Sequence, residues 1–305
     1  MSFFIQQFLN SLPLGAVYAL IAIGYSLMFG VLRLFNFALG DIYMVGAYTG
    51  FFVLAAFGGP GGLAAPAALV IVCMVVAGAL SSGLLGAIVE RVAFRPLRDA
   101  PLVAPLITSL GVSFVLEYSV LLLFSADPRF YFTPEWVPYH IGFRLDGTNI
   151  WVMDLVVLGG AFALMIALDR LIDLTNLGRQ MRAVATDRDA ARMVGIDVDR
   201  VISRAFFIGS ALAGAAGVGF ALVFSEISFD MGFTAGLIGF AAAVVGGMGS
   251  VRGAVLGGFV IGFAQDYSSA YISSTEQDLI TFALLVAVLL LRPRGLLGRP
   301  ALQRV

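Results

Sequence analysis

The sequence predicts an all-α polytopic membrane protein with eight or nine transmembrane segments, some of them broken or re-entrant. Three observations lead there. Of 305 residues, 60% are hydrophobic and 12% charged, roughly half the charged fraction of a soluble domain. The 36 glycines are ordinary for packed membrane helices and high for a soluble chain. Charge-free runs also recur along the chain, several long enough to cross about 30 Å of hydrocarbon with about 20 residues.

Each segment follows from the placement of charge. Residues 1–32 carry none and predict a first helix at about 9–32. No positive stretch precedes it, as a cleavable signal peptide requires, so this helix is expected to be retained. Residues 42–89 are again uncharged and hold two helices, separated at the turn-forming Gly58-Gly59-Pro60-Gly61-Gly62. A fourth segment runs over 101–124, interrupted by Glu117, which is expected near a membrane interface. The fifth covers 150–168, where Asp154, Trp151 and the more distant Trp136 read as interfacial residues. A sixth covers 205–225. The glycine-rich runs 231–251 and 253–265 follow, the second too short for an ordinary span, and 277–291 forms the last.

Arginine sets the expected orientation. The segments 90–99, 169–204 and 292–304, with Arg33 and Arg252, hold sixteen of the eighteen arginines. By the positive-inside rule they lie in the cytoplasm. The 125–149 loop holds only Arg129 and Arg144, together with Tyr131, Trp136, Tyr139 and His140, and is expected to be periplasmic. Counting back from Arg91 puts the N-terminus outside. Residues 1–305 read as a single membrane domain.

Composition excludes several chemistries. The chain has no lysine, so it holds no Walker A loop, which needs one to reach the phosphates. One histidine and one cysteine leave no metal-ligand spacing and no catalytic constellation. No enzyme activity, metal or cofactor is expected, and a net charge of −1 suggests no nucleic-acid partner. Cys73 reads as a small buried hydrophobe.

The arginine-rich segment GRQMRAVATDRDAARMVGIDVDR runs from Gly178 to Arg200. Met181, Val184, Ala191 and Val194 recur at helical spacing and predict one helix with an apolar stripe. By spacing alone it suits either a partner protein or the lipid headgroups. Asp189-Ala190-Ala191 followed by Gly195 resembles the E-A-A-x3-G signature of ABC importer permeases, with Asp for Glu. That resemblance implies a coupling helix docked on an ATPase subunit, with Arg182, Asp189, Ala190, Ala191 and Gly195 at the contact. Five further stretches resemble the branched-chain amino acid permease family, LivH-type subunit. They are PLGAVYALIAIGYSLMFGV at 13–31, NFALGDIYMVGAY at 36–48, ERVAFRPLR at 90–98, FAAAVVGGMGSVRGAVLGG at 240–258 and the C-terminal stretch from Ser268. The matches run in order from about residue 10 to 300.

The family implies an inner-membrane subunit of an importer, completed by a second permease subunit, two ATP-binding subunits and a periplasmic substrate-binding protein, all in contact with membrane lipid. Leu39 stands where relatives often carry histidine, which opens urea or short amides as alternative substrates. An ion-coupled secondary transporter would instead require buried carboxylates paired across helices. An intramembrane enzyme would require a catalytic dyad.

A route through the membrane needs polar backbone at membrane depth, tolerated only in cavities or buried in protein. Gly30–Gly50, with Asn36, Phe37, Gly40 and Asp41, and Gly232–Gly262, with Gly246, Gly247 and Gly249, are the candidate broken segments. A helix beginning near Gly40 or Gly249 would aim its N–H groups at a substrate carboxylate. Close helix packing is the competing reading for the glycines.

Overall fold

The computed structural model describes residues 2–58, 66–98, 100–101, 103–131, 142–145 and 148–298. The glycine turn beyond Gly58 lies outside these residues, as do Trp136, Tyr139, His140, Arg299 and Arg304.

The chain is helical almost throughout, as composition requires. The apolar helices are α1 (Ser2–Leu32), α2 (Leu39–Gly58), α3 (Ala67–Val89), α4 (Val103–Phe124), α5 (Val152–Leu174), α8 (Val198–Phe224), α9 (Met231–Gly246), α10 (Val251–Tyr271) and α11 (Gln277–Leu291). Two short polar helices, α6 (Asn176–Thr186) and α7 (Arg188–Met193), link α5 to α8. Seven helices are long and apolar enough to cross a membrane. With the 16-residue α9 and the 21-residue α10 they make nine apolar segments among the described residues.

Two boundaries move for physical reasons. The first helix begins seven residues earlier than charge counting suggested and carries Pro13 inside it. The helix expected to be too short, 253–265, is α10. It continues through Asp266 to Tyr271, because Gln265 takes a hydrogen bond from Tyr18 at 2.6 Å and gives one to Asp278 at 3.2 Å. Polar residues do not end a span when a neighbouring helix satisfies them.

The core is built around α1, α2 and α8. Small residues let their backbones approach. Gly24 of α1 lies against Gly209 of α8, Gly46 of α2 against Gly214, and Gly258 of α10 against Ala19 of α1. Such contacts supply the dispersion that drives helix association in lipid. α3, α4, α5 and α11 form the periphery, with rows of exposed Leu, Val, Ile and Phe. Cys73, on α3, is half-buried there rather than in the core. Among the described residues, strands are confined to two small antiparallel pairs. β1 (Arg129–Phe130) joins β4 (Glu226–Ile227), and β2 (Gly142–Leu145) joins β3 (Thr148–Trp151).

At the arginine-rich end, a π-helical turn over Glu90–Phe94 prolongs α3. It carries a polar cluster. Arg98 binds both Glu90 and Asp199, Arg95 binds Asp199, and the Ser203 hydroxyl donates to Glu90. The cluster fastens α3 to the start of α8.

Candidate functional site

Two helices begin inside the bundle rather than at its ends. α1 ends at Leu32, yet Leu39, which opens α2, packs within 3.2 Å of the position a Cβ on Gly24 would take. The 33–38 segment therefore folds back by about eight helical residues, roughly 12 Å. α9 behaves likewise. Its Gly232 and Gly236 lie directly on Gly40, and Gly232 also touches Asp41, so the N-termini of α2 and α9 meet.

Asp41 sits in the first turn of α2, fully buried. One carboxylate oxygen accepts from Ser113 of α4. The other, Oδ1, has no partner among the described residues and faces Gly232. Two helix N-termini concentrate partial positive charge at this point, which accounts for a carboxylate there with no arginine beside it. Asn36 is also buried. Its amide nitrogen approaches the Met28 sulfur at 3.6 Å, and its Oδ1 is unpartnered among the described residues. Phe37 packs on Phe240 of α9, with ring centroids 5.6 Å apart.

The structure thus brings Asn36, Phe37, Gly40 and Asp41 together with α9, but with Gly232, Gly236 and Phe240. Gly246, Gly247 and Gly249 lie at the opposite end of α9. Gly246 packs on Gly253, and Gly247, at φ +108°, packs on Gly298. Gly249, at φ +83°, stands beside Gly30, so the loop before α10 meets the end of α1. For Gly246 and Gly247 close packing accounts for the missing side chain.

Sequence reasoning missed Tyr25, whose buried hydroxyl lies near Gly236 and has no partner among the described residues. It also left Glu117 without a neighbour, and Glu117 stands half-buried on α4 one turn from Ser113, which bonds Asp41. Polar residues at 113 and 117, four apart on an otherwise apolar helix, were the available signal.

The polar segment departs from the expected single helix. Asp187 adopts an extended conformation between α6 and α7, and its carboxylate accepts from the N–H groups of Asp189 and Ala190. A good N-cap starts a new helix where the stripe alone predicted continuity. Met181, Val184 and Ala191 turn inward, whereas Val194 is 75% exposed beside Met193 at 82%. Asp189 and Ala190 are exposed, and Arg182 reaches back to the Ile172 carbonyl at 2.8 Å. Gly195, at φ +83°, closes α7 in a Schellman arrangement, with Ile196 N–H donating to Ala191 at 3.0 Å. Arg188 donates to the Leu32 carbonyl at 2.6 Å, tying α7 to the end of α1.

Comparison with known proteins agrees with this architecture. The family described as "Branched-chain amino acid transport system / permease component" matches residues 7–289. The high-affinity branched-chain amino acid transport system permease protein LivH of Escherichia coli is 40% identical over 99% of this chain and 98% of its own length. BraD of Pseudomonas aeruginosa, a permease protein of the same kind of system, is 36% identical over the same shares. A probable LivH from Methanocaldococcus jannaschii is 28% identical over 92% of this chain and 88% of its own. Among solved structures, PsaBC from Streptococcus pneumoniae in complex with Fab aligns at a TM-score of 0.48 with 13% identity, covering 93% of this chain and 91% of that one, a likeness too loose to carry the fold. A multi-pass helical membrane chain matched across nearly its whole length by such permeases belongs to the branched-chain amino acid transport permease family.

Proposed function

We propose that this chain is one of two permease subunits of an ATP-driven, binding-protein-dependent importer, and that its cargo is leucine, isoleucine, valine or a related amino acid. Residues 1–305 act as one membrane domain. The arginine-rich end, with the 169–204 segment, faces the cytoplasm, and the 125–149 loop faces the periplasm and the binding protein. Two partner subunits hydrolyse the ATP, since the chain has no lysine to build a phosphate loop. Asn36, Phe37, Gly40 and Asp41 line the route at the junction of α2 and α9. Gly246, Gly247 and Gly249 belong to the same route at the far end of α9.

The observation that carries the reading is the apolar tip of the α6–α7 segment. Met193 and Val194, 82% and 75% exposed, stand side by side at the tip of a polar segment, and desolvating them requires a partner. With Asp189, Ala190 and Gly195 they form the face that docks on an ATPase subunit. Arg182 and Ala191 hold that face against the bundle from behind.

The test uses the complete transporter in proteoliposomes, with ATP inside and binding protein outside. Wild type should accumulate leucine only with ATP. Met193→Asp/Val194→Asp should leave the permease in the membrane, reduce co-purified ATPase and abolish stimulated hydrolysis. Normal co-purification and hydrolysis in that variant would overturn the docking assignment, and ATP-independent uptake by wild type would overturn the importer.

A further inference from the structure

The structure brings together acids that the sequence scatters over three elements. Asp41 lies on α2, Glu117 on α4 and Asp230 at the start of α9. Gly232, two residues beyond Asp230, lies against Asp41, and Glu117 stands one turn from Ser113, which donates to Asp41. Their burial is graded: Asp230 is exposed, Glu117 half-buried and Asp41 fully buried. Asp230 accepts from Ser228 at 2.5 Å, and none of the three acids forms an ion pair among the described residues.

An independent observation marks the same gap. Tyr48 is on α2 two turns beyond Asp41 and therefore on the same face. Its hydroxyl is buried and has no partner among the described residues, and its ring stacks on Phe124 of α4 with centroids 5.5 Å apart. Arg129 sits over the Phe51 and Phe124 rings and donates to the Phe124 carbonyl at 3.0 Å. α4 meets the bundle through a narrow face, with Pro105, Ser109, Ser113 and Val120 buried.

We propose that Asp230, Glu117 and Asp41 form a ladder of increasing burial that takes the monovalent cationic end of the cargo, the α-ammonium of a zwitterionic amino acid, from the exposed Asp230 to the junction of α2 and α9. The Tyr48 and Ser113 hydroxyls accept from the same group between the acids. Carboxylates at membrane depth with no internal counter-ion are costly unless a passing cation offsets them.

This inference rests on the amino-acid reading above, and the experiment separates the two. In the same proteoliposomes, leucine uptake is measured per ATP hydrolysed for wild type, Glu117→Gln, Glu117→Asp and Asp230→Asn. Glu117→Gln should lose at least about fivefold, the scale of one lost charge-assisted contact. Glu117→Asp should recover most of it, and Asp230→Asn should lose less. Wild-type uptake per ATP in both Glu117→Gln and Asp230→Asn would overturn the ladder while leaving the importer intact. Wild type is also assayed with sodium replaced by N-methylglucamine. Unchanged uptake supports the ammonium, whereas collapse would assign the ladder to an inorganic cation and overturn the proposal. No ATP-dependent leucine uptake by wild type would instead fail the amino-acid reading itself.

Discussion

Replacing Glu90 with leucine tests how the chain tolerates a buried ion cluster. Glu90 is fully buried, and the Arg98 side chain is 9% exposed. Both carboxylate oxygens are used, one by Arg98 and one by Ser203. Glu90→Leu keeps the volume but strands the Arg98 guanidinium and the Ser203 hydroxyl. Breaking a buried pair from one side typically costs about 3–5 kcal/mol. Asp199 still holds the other edge of Arg98, so the expected loss is at the lower end, about 3 kcal/mol. Glu90→Leu/Arg98→Leu removes both charges and leaves Arg95 with Asp199 at the surface. Because desolvation offsets most of the attraction in such pairs, the double variant should regain most of the loss. Unfolding of the purified permease in mixed micelles, titrated with a denaturing detergent, measures both. A double variant as unstable as Glu90→Leu, or a Glu90→Leu indistinguishable from wild type, would refute the argument.

Two further expectations follow from packing and sidedness. Gly258→Ala drives a methyl group into the Ala19 backbone and should cost about 1–3 kcal/mol by overpacking. Gly160→Ala, with nothing within 4 Å of the new carbon, should stabilise α5 by roughly 0.5–1 kcal/mol, and equal effects in the same titration would contradict the crossing. With Cys73 replaced by serine, Thr186→Cys and Phe143→Cys, both exposed, should differ in intact spheroplasts. An impermeant thiol reagent should label position 143 and spare 186, and the reverse would invert the orientation.

The helical class and nearly every segment were legible because hydrocarbon forbids unpaired charge, and charge-free runs are visible in a sequence. The failures share one cause. At Asp266 charge counting ended a helix that the hydrogen bonds of Gln265 tie to its neighbours. At Asp187 an apolar stripe hid a helix boundary set by a side-chain cap. At the candidate route, Asn36 and Asp41 stood out as polar residues in an apolar stretch, but their neighbours did not. Gly232, Ser113, Tyr25 and Phe240 reach them only through the fold-back of 33–38 and the inward start of α9. No local pattern encodes that return. The glycines of 246–249 were conspicuous for another reason, since three backbones crowd there.

The ending of α9 carries a consequence for how the protein is made. The Val245 and Gly246 carbonyls, free at the end of that helix, accept from the N–H groups of Leu296 and Leu297 at 2.8 and 2.9 Å. The segment that completes α9 thus lies about fifty residues downstream, beyond two further apolar helices. While the ribosome is still producing α10 and α11, α9 enters the bilayer with these two acceptors unmet, and it must wait near water or the insertion machinery. This last contact of α9 therefore forms only after α11 has been made. Substitutions at 295–298 should appear as chains that are inserted but not assembled, so a defect at the far end of the chain would be read out at the junction of α2 and α9.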